Sequence, residues 1–221
     1  EQAVAAPYCT RLLAEAGARV IKVERDGGDF ARHYDSLVNG ESAYFVWLNS
    51  GKESLVLNAK DPDDKALLTA MLERADVFVQ NLRPGAVEAL GFDYATITER
   101  NPGLVMCSIS GYGTSGPYAG KKAYDFLVQG ESGLCSVTGS PGEPARVGIS
   151  VCDISTGLSA YGEILRALLE RGQSGKGMHV EVSLFGVMAE WMSVPLVYYR
   201  DGDKLLSGTG LDHAQIAPYG V

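Results

Sequence analysis

Three short apolar runs constrain this chain more than anything else in it: Asp76-Val-Phe-Val-Gln80, Leu104-Val-Met-Cys-Ser-Ile109 and Met178-His-Val-Glu-Val-Ser183. Each is too short for a helix and is bounded by helical or turn sequence, so each reads as a strand. Residues 19–24 and 54–57 read the same way. Between the strands lie amphipathic segments. The clearest follows Lys60-Asp-Pro-Asp-Asp and runs to Arg74, with Ala66, Leu67, Ala70 and Met71 on one face and acids in its first turn. Strands alternating with helices imply a parallel sheet covered by helices, an α/β architecture. Ligands of such sheets bind beyond the carboxyl ends of the strands.

The remaining sequence fills in this frame. Pro7 opens a helix over 8–16 that Gly17 ends. Residues 25–41 are polar and read as loop, residues 43–49 as a short aromatic helix. Short helices are expected up to Gly91, over 94–101 and over 124–132, with a turn region at 139–144. Longer helices follow Asp153 and Leu184. With 46% hydrophobic and 21% charged residues, the 221-residue chain has a globular composition. A net charge of −8 argues against nucleic acid as the main partner, since phosphate backbones require a basic footprint. No apolar run reaches the roughly 20 residues of a membrane span, and no signal-peptide pattern opens the chain. Cys9, Cys107, Cys135 and Cys152 lie far apart without a C-x-x-C pair, which indicates neither a disulfide framework nor a zinc site. A reducing compartment, cytoplasm or an organelle matrix, fits this usage.

The chemistry-bearing candidates are few. Val147-Gly-Ile-Ser-Val-Cys-Asp153 is an apolar run that delivers one carboxylate to a helix start, and Ser155, Thr156 and Gly157 keep its surroundings small. By itself this favours a helix cap over a catalyst. Gly111-Tyr-Gly-Thr-Ser-Gly116 matches the dinucleotide fingerprint and follows a strand, but Pro117 and the residues after it continue as loop where the fingerprint needs a helix. Ser174-Gly-Lys-Gly177 lacks phosphate-loop spacing and reads as a turn. His33, His179 and His213 lack metal-ligand spacing; His179 reads as structural, and His213 sits in a glycine-rich loop. Lys22, Arg25, Lys52, Lys60, Arg83, Lys121 and Lys122 gather near strand ends, where converging cations would suit a polyphosphate ligand. Solvated surface charge explains Lys52 and Lys60 nearly as well.

Taken together, several ordered motifs resemble the family III CoA-transferases, the group that includes formyl-CoA transferase, carnitine-CoA transferases and α-methylacyl-CoA racemase. They are Gly17-Ala-Arg-Val-Ile-Lys-Val-Glu-Arg25, Asn49-Ser-Gly-Lys-Glu-Ser-Leu-Val-Leu-Asn-Ala-Lys-Asp-Pro62 and Asp76-Val-Phe-Val-Gln-Asn-Leu-Arg-Pro-Gly85. Ser108-Ile-Ser-Gly-Tyr-Gly113, Lys122-Ala-Tyr-Asp125, Cys152-Asp-Ile-Ser-Thr-Gly157 and the run from Gln173 to Val182 complete the set.

The resemblance implies a catalytic role for Asp153. Its carboxylate would attack a donor acyl-CoA thioester, and an aspartyl-acyl anhydride and then an aspartyl-CoA thioester would carry CoA to an acceptor acid. A helix N-terminus is expected to keep this carboxylate ionised near neutral pH, from a reference pKa of ~3.9. The implied CoA contacts are Val4, Ala5, Arg25, Leu57, Lys60, Asn81, Leu82, Lys122 and Leu184, with Arg25, Lys60 and Lys122 facing phosphates. Tyr124, Tyr44 and His213 fall on the substrate side. Val4 stands where formyl-CoA transferase has an active-site glutamine, which counts against oxalate and formate. The loop Asp212-His213-Ala-Gln-Ile-Ala-Pro-Tyr-Gly220 resembles the branch acting on itaconate, mesaconate or succinate, and its glycines and His213 are expected over Asp153. Succinyl-CoA is the expected donor. The coenzyme is a substrate, and no tightly bound cofactor or metal is implied. A racemase is the alternative within the family, but its two-base chemistry uses a histidine where this chain has Tyr124, and a phenol of pKa ~10 exchanges protons poorly near neutrality. A non-catalytic CoA-binding module is the alternative of another class.

The family fold is a Rossmann-like large domain with helices on both faces of its sheet, plus a small domain, in an interlocked homodimer. Residues 1–194 are accordingly expected to form the large domain, and 195–221 the linker and small-domain start. The lack of an initiator Met and the open ends suggest a piece of a longer chain, with one strand missing before it and doubtful activity in isolation.

Overall fold

The computed structural model describes residues 1–219. Its centre is a parallel three-stranded sheet in the order β3 (Val77–Gln80), β4 (Val105–Ser110), β7 (His179–Ser183). A second parallel pair joins β1 (Ile21–Glu24) to β2 (Glu53–Val56), with Ile21 opposite Glu53 and Glu24 opposite Val56. The five strands read from the sequence are all present, each within a few residues of the expected bounds.

Strand β4 shows why its sequence is apolar throughout. Val105, Cys107 and Ile109 point into one core with helices α1 (Ala5–Glu15), α8 (Val151–Ser174) and α9 (Leu184–Trp191). Leu104 and Met106 point into the other, with α3 (Pro62–Leu72), α4 (Ala86–Ala89) and α5 (Tyr94–Thr98). Both faces of the strand are buried, so the two-residue alternation of polarity is absent and the run is continuous. The helices therefore lie on both faces of the sheet, as expected of a Rossmann-like fold.

Local signals set the helix ends. Asp61 caps α3 by accepting from the Asp63 and Asp64 backbone N–H groups, and Pro62 occupies its first turn. Helix α2 (Ala43–Asn49) is capped by Ser42, and α6 covers Asp125–Glu131. The Ser174-Gly-Lys-Gly turn is needed because a Cβ at Gly177 would stand 1.9 Å from the Leu104 carbonyl oxygen. Only glycine lets α8 return so closely to β4.

Several expectations are revised. Residues 25–41 contain a 3-10 turn, Phe30–His33, capped by Asp29. Residues 134–137 form a short helix, α7 (Leu134–Val137), and the turn region holds a small hairpin of β5 (Gly139–Ser140) and β6 (Glu143–Pro144). The helix expected after the apolar run begins at Val151, two residues before Asp153. The helix expected from Leu184 breaks at Met192, and α10 (Ser193–Gly202) continues through Pro195. Pro195 lies in the first turn of that helix, where proline's missing N–H costs nothing. Gly220, part of the expected substrate loop, lies outside the described residues.

Candidate active site

Residues 1–5 form the spine of the site. Gln2 donates its N–H to Asn81 Oδ1 at 2.9 Å, and Asn81 Nδ2 returns a bond to the Gln2 carbonyl at 2.7 Å. The next residue, Ala3, donates to Asp29 Oδ1 at 3.1 Å. The turns that follow β3 and β1 are thereby held against adjacent residues of one segment. Val4 and Ala5, both buried, then open α1. A Cβ at Gly157 would meet the Ala5 carbonyl oxygen at 2.5 Å, so α1 lies directly against α8 one turn beyond Asp153. The expected positions Val4, Ala5, Asn81 and Asp153 are thus linked through one continuous stretch.

Four other expected positions sit just beyond strand ends, where a parallel sheet presents ligands. Arg25 follows β1, Leu57 follows β2, Leu82 follows β3, and Leu184 follows β7 as the first residue of α9. Leu57 and Leu184 are buried, and Leu57 N–H donates to the Glu24 carbonyl. The side chains of Arg25, Lys60, Arg83 and Lys122 are exposed and form no ion pair among the described residues. Lys22 and Lys52 behave differently. Each side chain is 2% exposed; Lys22 Nζ binds Asp29 at 2.9 Å and Lys52 Nζ binds Glu1 at 2.8 Å. These two are internal ion pairs, neither ligand cations nor solvated surface charge. Lys121 is engaged by Glu131 and lies over the Tyr118 ring.

Asp153 is the third residue of α8, half-buried, and it does not cap that helix. The cap is supplied from α6: Asp125 Oδ2 accepts from the Cys152 N–H at 2.7 Å and the Asp153 N–H at 3.3 Å. The expectation that free helix-terminal N–H groups keep Asp153 ionised is therefore overturned. Those donors already serve Asp125. Burial, and then the charge of Asp125, push the Asp153 carboxyl up to about 7. It is poised between its two forms at neutral pH.

Three tyrosines gather on this side of the molecule. Tyr44 places its hydroxyl 3.4 Å from Ser150 Oγ, at the N-cap of α8, and packs edge-on against Tyr34 with ring centroids 5.7 Å apart. Burial, with the charges of Asp29 and Asp153 behind it, raises the Tyr34 phenol to about 12. Tyr124, directly before Asp125, is exposed. Tyr34, Ser150, Asp125 and Gln129 were not singled out from the sequence. Asp125 stood beside Tyr124 in a quoted motif, but a contact spanning 28 residues leaves no local periodicity to read.

His213 accepts from the Gln215 and Ile216 N–H groups and lies 4.6 Å from the Tyr219 ring, so its bonds are local to its own segment. His179 is structural, with Nε2 2.9 Å from Ser108 Oγ and its ring stacked on Tyr94. No helix begins between Gly111 and Tyr124, and the dinucleotide fingerprint therefore lacks its anion-binding terminus. Among the described residues no group of three or more His, Cys, Asp or Glu is placed to hold a metal ion, and no helix is long and apolar enough to cross a membrane.

A helix-covered parallel sheet, with a half-buried carboxylate at the start of its longest helix and free cations beyond its strand ends, defines an α/β protein suited to an anionic ligand. The chain belongs to CoA-transferase family III, whose family model matches residues 1–221. It is 40% identical over 218 residues to acetyl-CoA:oxalate CoA-transferase of Acetobacter aceti, covering 97% of this chain and 56% of that protein. It is 37% identical over 219 residues to succinyl-CoA:glutarate CoA-transferase of Mus musculus, covering 98% and 50%. The crystal structure of a CAIB/BAIF family protein from Brucella suis superposes with a TM-score of 0.92 at 35% identity, covering 99% of this chain and 59% of that one. The chain spans about half the length of the curated relatives it matches.

Proposed function

We propose that this chain provides the CoA-binding and nucleophile-bearing part of an enzyme that moves CoA from an acyl-CoA donor to a small dicarboxylic acid. The observation that carries the reading is Asp153, a half-buried carboxylate in the first turn of α8 in a family III chain. Its Oδ attacks the thioester carbonyl carbon, the C–S bond breaks, and CoA leaves as the thiolate with the acyl group on Asp153 as a mixed anhydride. The thiolate then attacks Asp153 Cγ and releases the donor acid, leaving an aspartyl-CoA thioester. An acceptor carboxylate attacks the same carbon and expels the thiolate again, which takes the acceptor acyl group and frees Asp153. Each step exchanges one activated acyl bond for another, so no barrier has to cover the whole transfer.

Arg25, Lys60 and Lys122 suit the phosphates of CoA because they are exposed and free of protein anions. Val4, Ala5, Leu57, Asn81, Leu82 and Leu184 form the wall for the rest of the coenzyme, and Tyr44 and Tyr124 face the acyl side with His213 in the segment beyond. A dicarboxylate acceptor is favoured because the relatives act on oxalate and glutarate by name, both of which are diacids. Val4 in place of glutamine favours the longer acid, with succinyl-CoA as donor. An interlocked homodimer is part of this reading. The test is a panel of diacids offered with succinyl-CoA to the full native chain, with product CoA esters read by mass and hydroxylamine used to trap the aspartyl adduct. An adduct mapped to Asp153 supports the reading, and a full-rate Asp153→Asn variant rejects it.

A further inference from the structure

The geometry points to Gln129 as a positioning residue that, through Asp125, fixes the turn of α8 on which Asp153 stands. The proposal rests on the reading of Asp153 given above. Gln129 is fully buried on α6, one turn after Asp125. Its Nε2 donates to Asp125 Oδ1 at 2.6 Å, while its Oε1 accepts from the Val147 N–H at 2.8 Å. The same Nε2 lies 3.4 and 3.5 Å from the carbonyls of Val147 and Ile149. The other oxygen of Asp125 holds the Cys152 and Asp153 N–H groups. One buried amide therefore fastens both the segment that enters α8 and the carboxylate that caps it.

The arrangement matters because residues 147–150 have no sheet to hold them. Neither Ser150, the N-cap, nor any other side chain of that segment caps α8. Without the Gln129 donor, Asp125 would be free to turn away from Cys152 and Asp153, and the first turn of α8 would lose the one side-chain acceptor it has among the described residues. A nucleophile displaced by a fraction of an ångström still binds substrate but attacks slowly. Gln129 thus acts on the rate of acyl transfer more than on CoA affinity.

Gln129→Met keeps the size and removes both polar ends. In the full native chain it should lower kcat roughly ten- to hundred-fold, with KM for the acyl-CoA changed by less than about three-fold. Gln129→Asn keeps an uncharged amide in the pocket but is one methylene too short to reach Asp125 Oδ1. It should fold and show the same loss, which covers the case in which the Met variant does not fold. Asp125→Asn turns an amide toward Gln129 Nε2 and cuts the same contact from the other side. The double variant Asp125→Asn, Gln129→Met should therefore be no more than about two-fold slower than Asp125→Asn alone. A folded Gln129→Asn chain with kcat within two-fold of native, or losses that multiply across the cycle, overturns the proposal. A slow Asp153→Asn beside a full-rate Gln129→Asn sinks this inference alone, whereas a full-rate Asp153→Asn removes the reading beneath it.

Discussion

At the scale of single residues, the site is governed by two neighbouring carboxyls with opposite tasks. Asp125 accepts backbone N–H groups and stays with the structure; Asp153 lies beside it, half-buried, with its pKa raised to about 7. A carboxyl with a folded value above its unfolded ~4 binds its proton more tightly in the fold, so stability is lost as pH rises from about 4 through 7. Asp153→Asn has no such group to ionise. Its melting temperature should equal the native value near pH 4 and exceed it at pH 8. The gain is bounded by about 4 kcal/mol for a three-unit shift, and solvent at this position brings the expectation nearer ~2 kcal/mol. Thermal unfolding across that pH range checks it, and a native chain more stable than the variant at pH 8 contradicts it. In the proposed mechanism the same carboxyl has to be ionised to attack, so kcat/KM should fall about ten-fold per pH unit below 7. Asp125→Asn removes the adjacent negative charge, and the acidic limb of the profile should move to lower pH in that variant.

At the scale of elements, the contact between α1 and α8 decides whether the proposed coenzyme wall and the proposed nucleophile share one frame. Ala5, Ala6 and Cys9 on α1 meet Cys152, Gly157 and Ala160 on α8, small residues that let two backbones approach. Gly157→Ala would drive a methyl group to 2.5 Å from the Ala5 oxygen and 3.0 Å from the Tyr8 ring. The backbone oxygen cannot swing aside, so about 1–3 kcal/mol of destabilisation is expected, together with weaker CoA binding as Val4 and Ala5 shift. Denaturant titration and a CoA binding isotherm on one preparation measure both. Most of this level was legible in the sequence. The continuous apolar run at 104–109 announced a strand buried on both faces, and Lys60-Asp-Pro-Asp-Asp announced α3, although the face it buries is Leu68 and Leu72 while Ala66, Leu67 and Ala70 are exposed. What was not legible depends on contacts distant along the chain. Lys22 and Lys52 look like surface cations until Asp29 and Glu1 are seen beside them. The capping of α8 by Asp125 has no signature in either segment alone, and Met192 breaks the helix after Leu184 where the apolar pattern continues.

At the scale of the whole molecule, the outer faces of the last helices ask for a partner. Leu158, Leu165 and Leu169 are exposed along α8, and Trp191, Val194, Leu196, Val197 and Tyr199 along α9 and α10. Leu169 is 75% exposed and Trp191 54%. Apolar residues scattered singly on a surface need no explanation, but a contiguous apolar patch marks an association surface, and in the dimer reading these side chains supply one. The proposed homodimer gives that patch an occupant of the same composition. Sedimentation of the full native chain at micromolar concentration should then give a dimer. Leu169→Glu with Trp191→Glu would place charges in a water-excluded contact, where an unpaired carboxylate is costly, and should shift the species to monomer. The exposed cations offer an internal control on the same preparation. Lys60→Ala, remote from that patch, should weaken CoA binding and flatten its salt dependence while leaving the dimer intact. A monomeric native chain would refute the dimer without touching Asp153, because the carboxylate, its Asp125 neighbour and the α1 wall all belong to one chain.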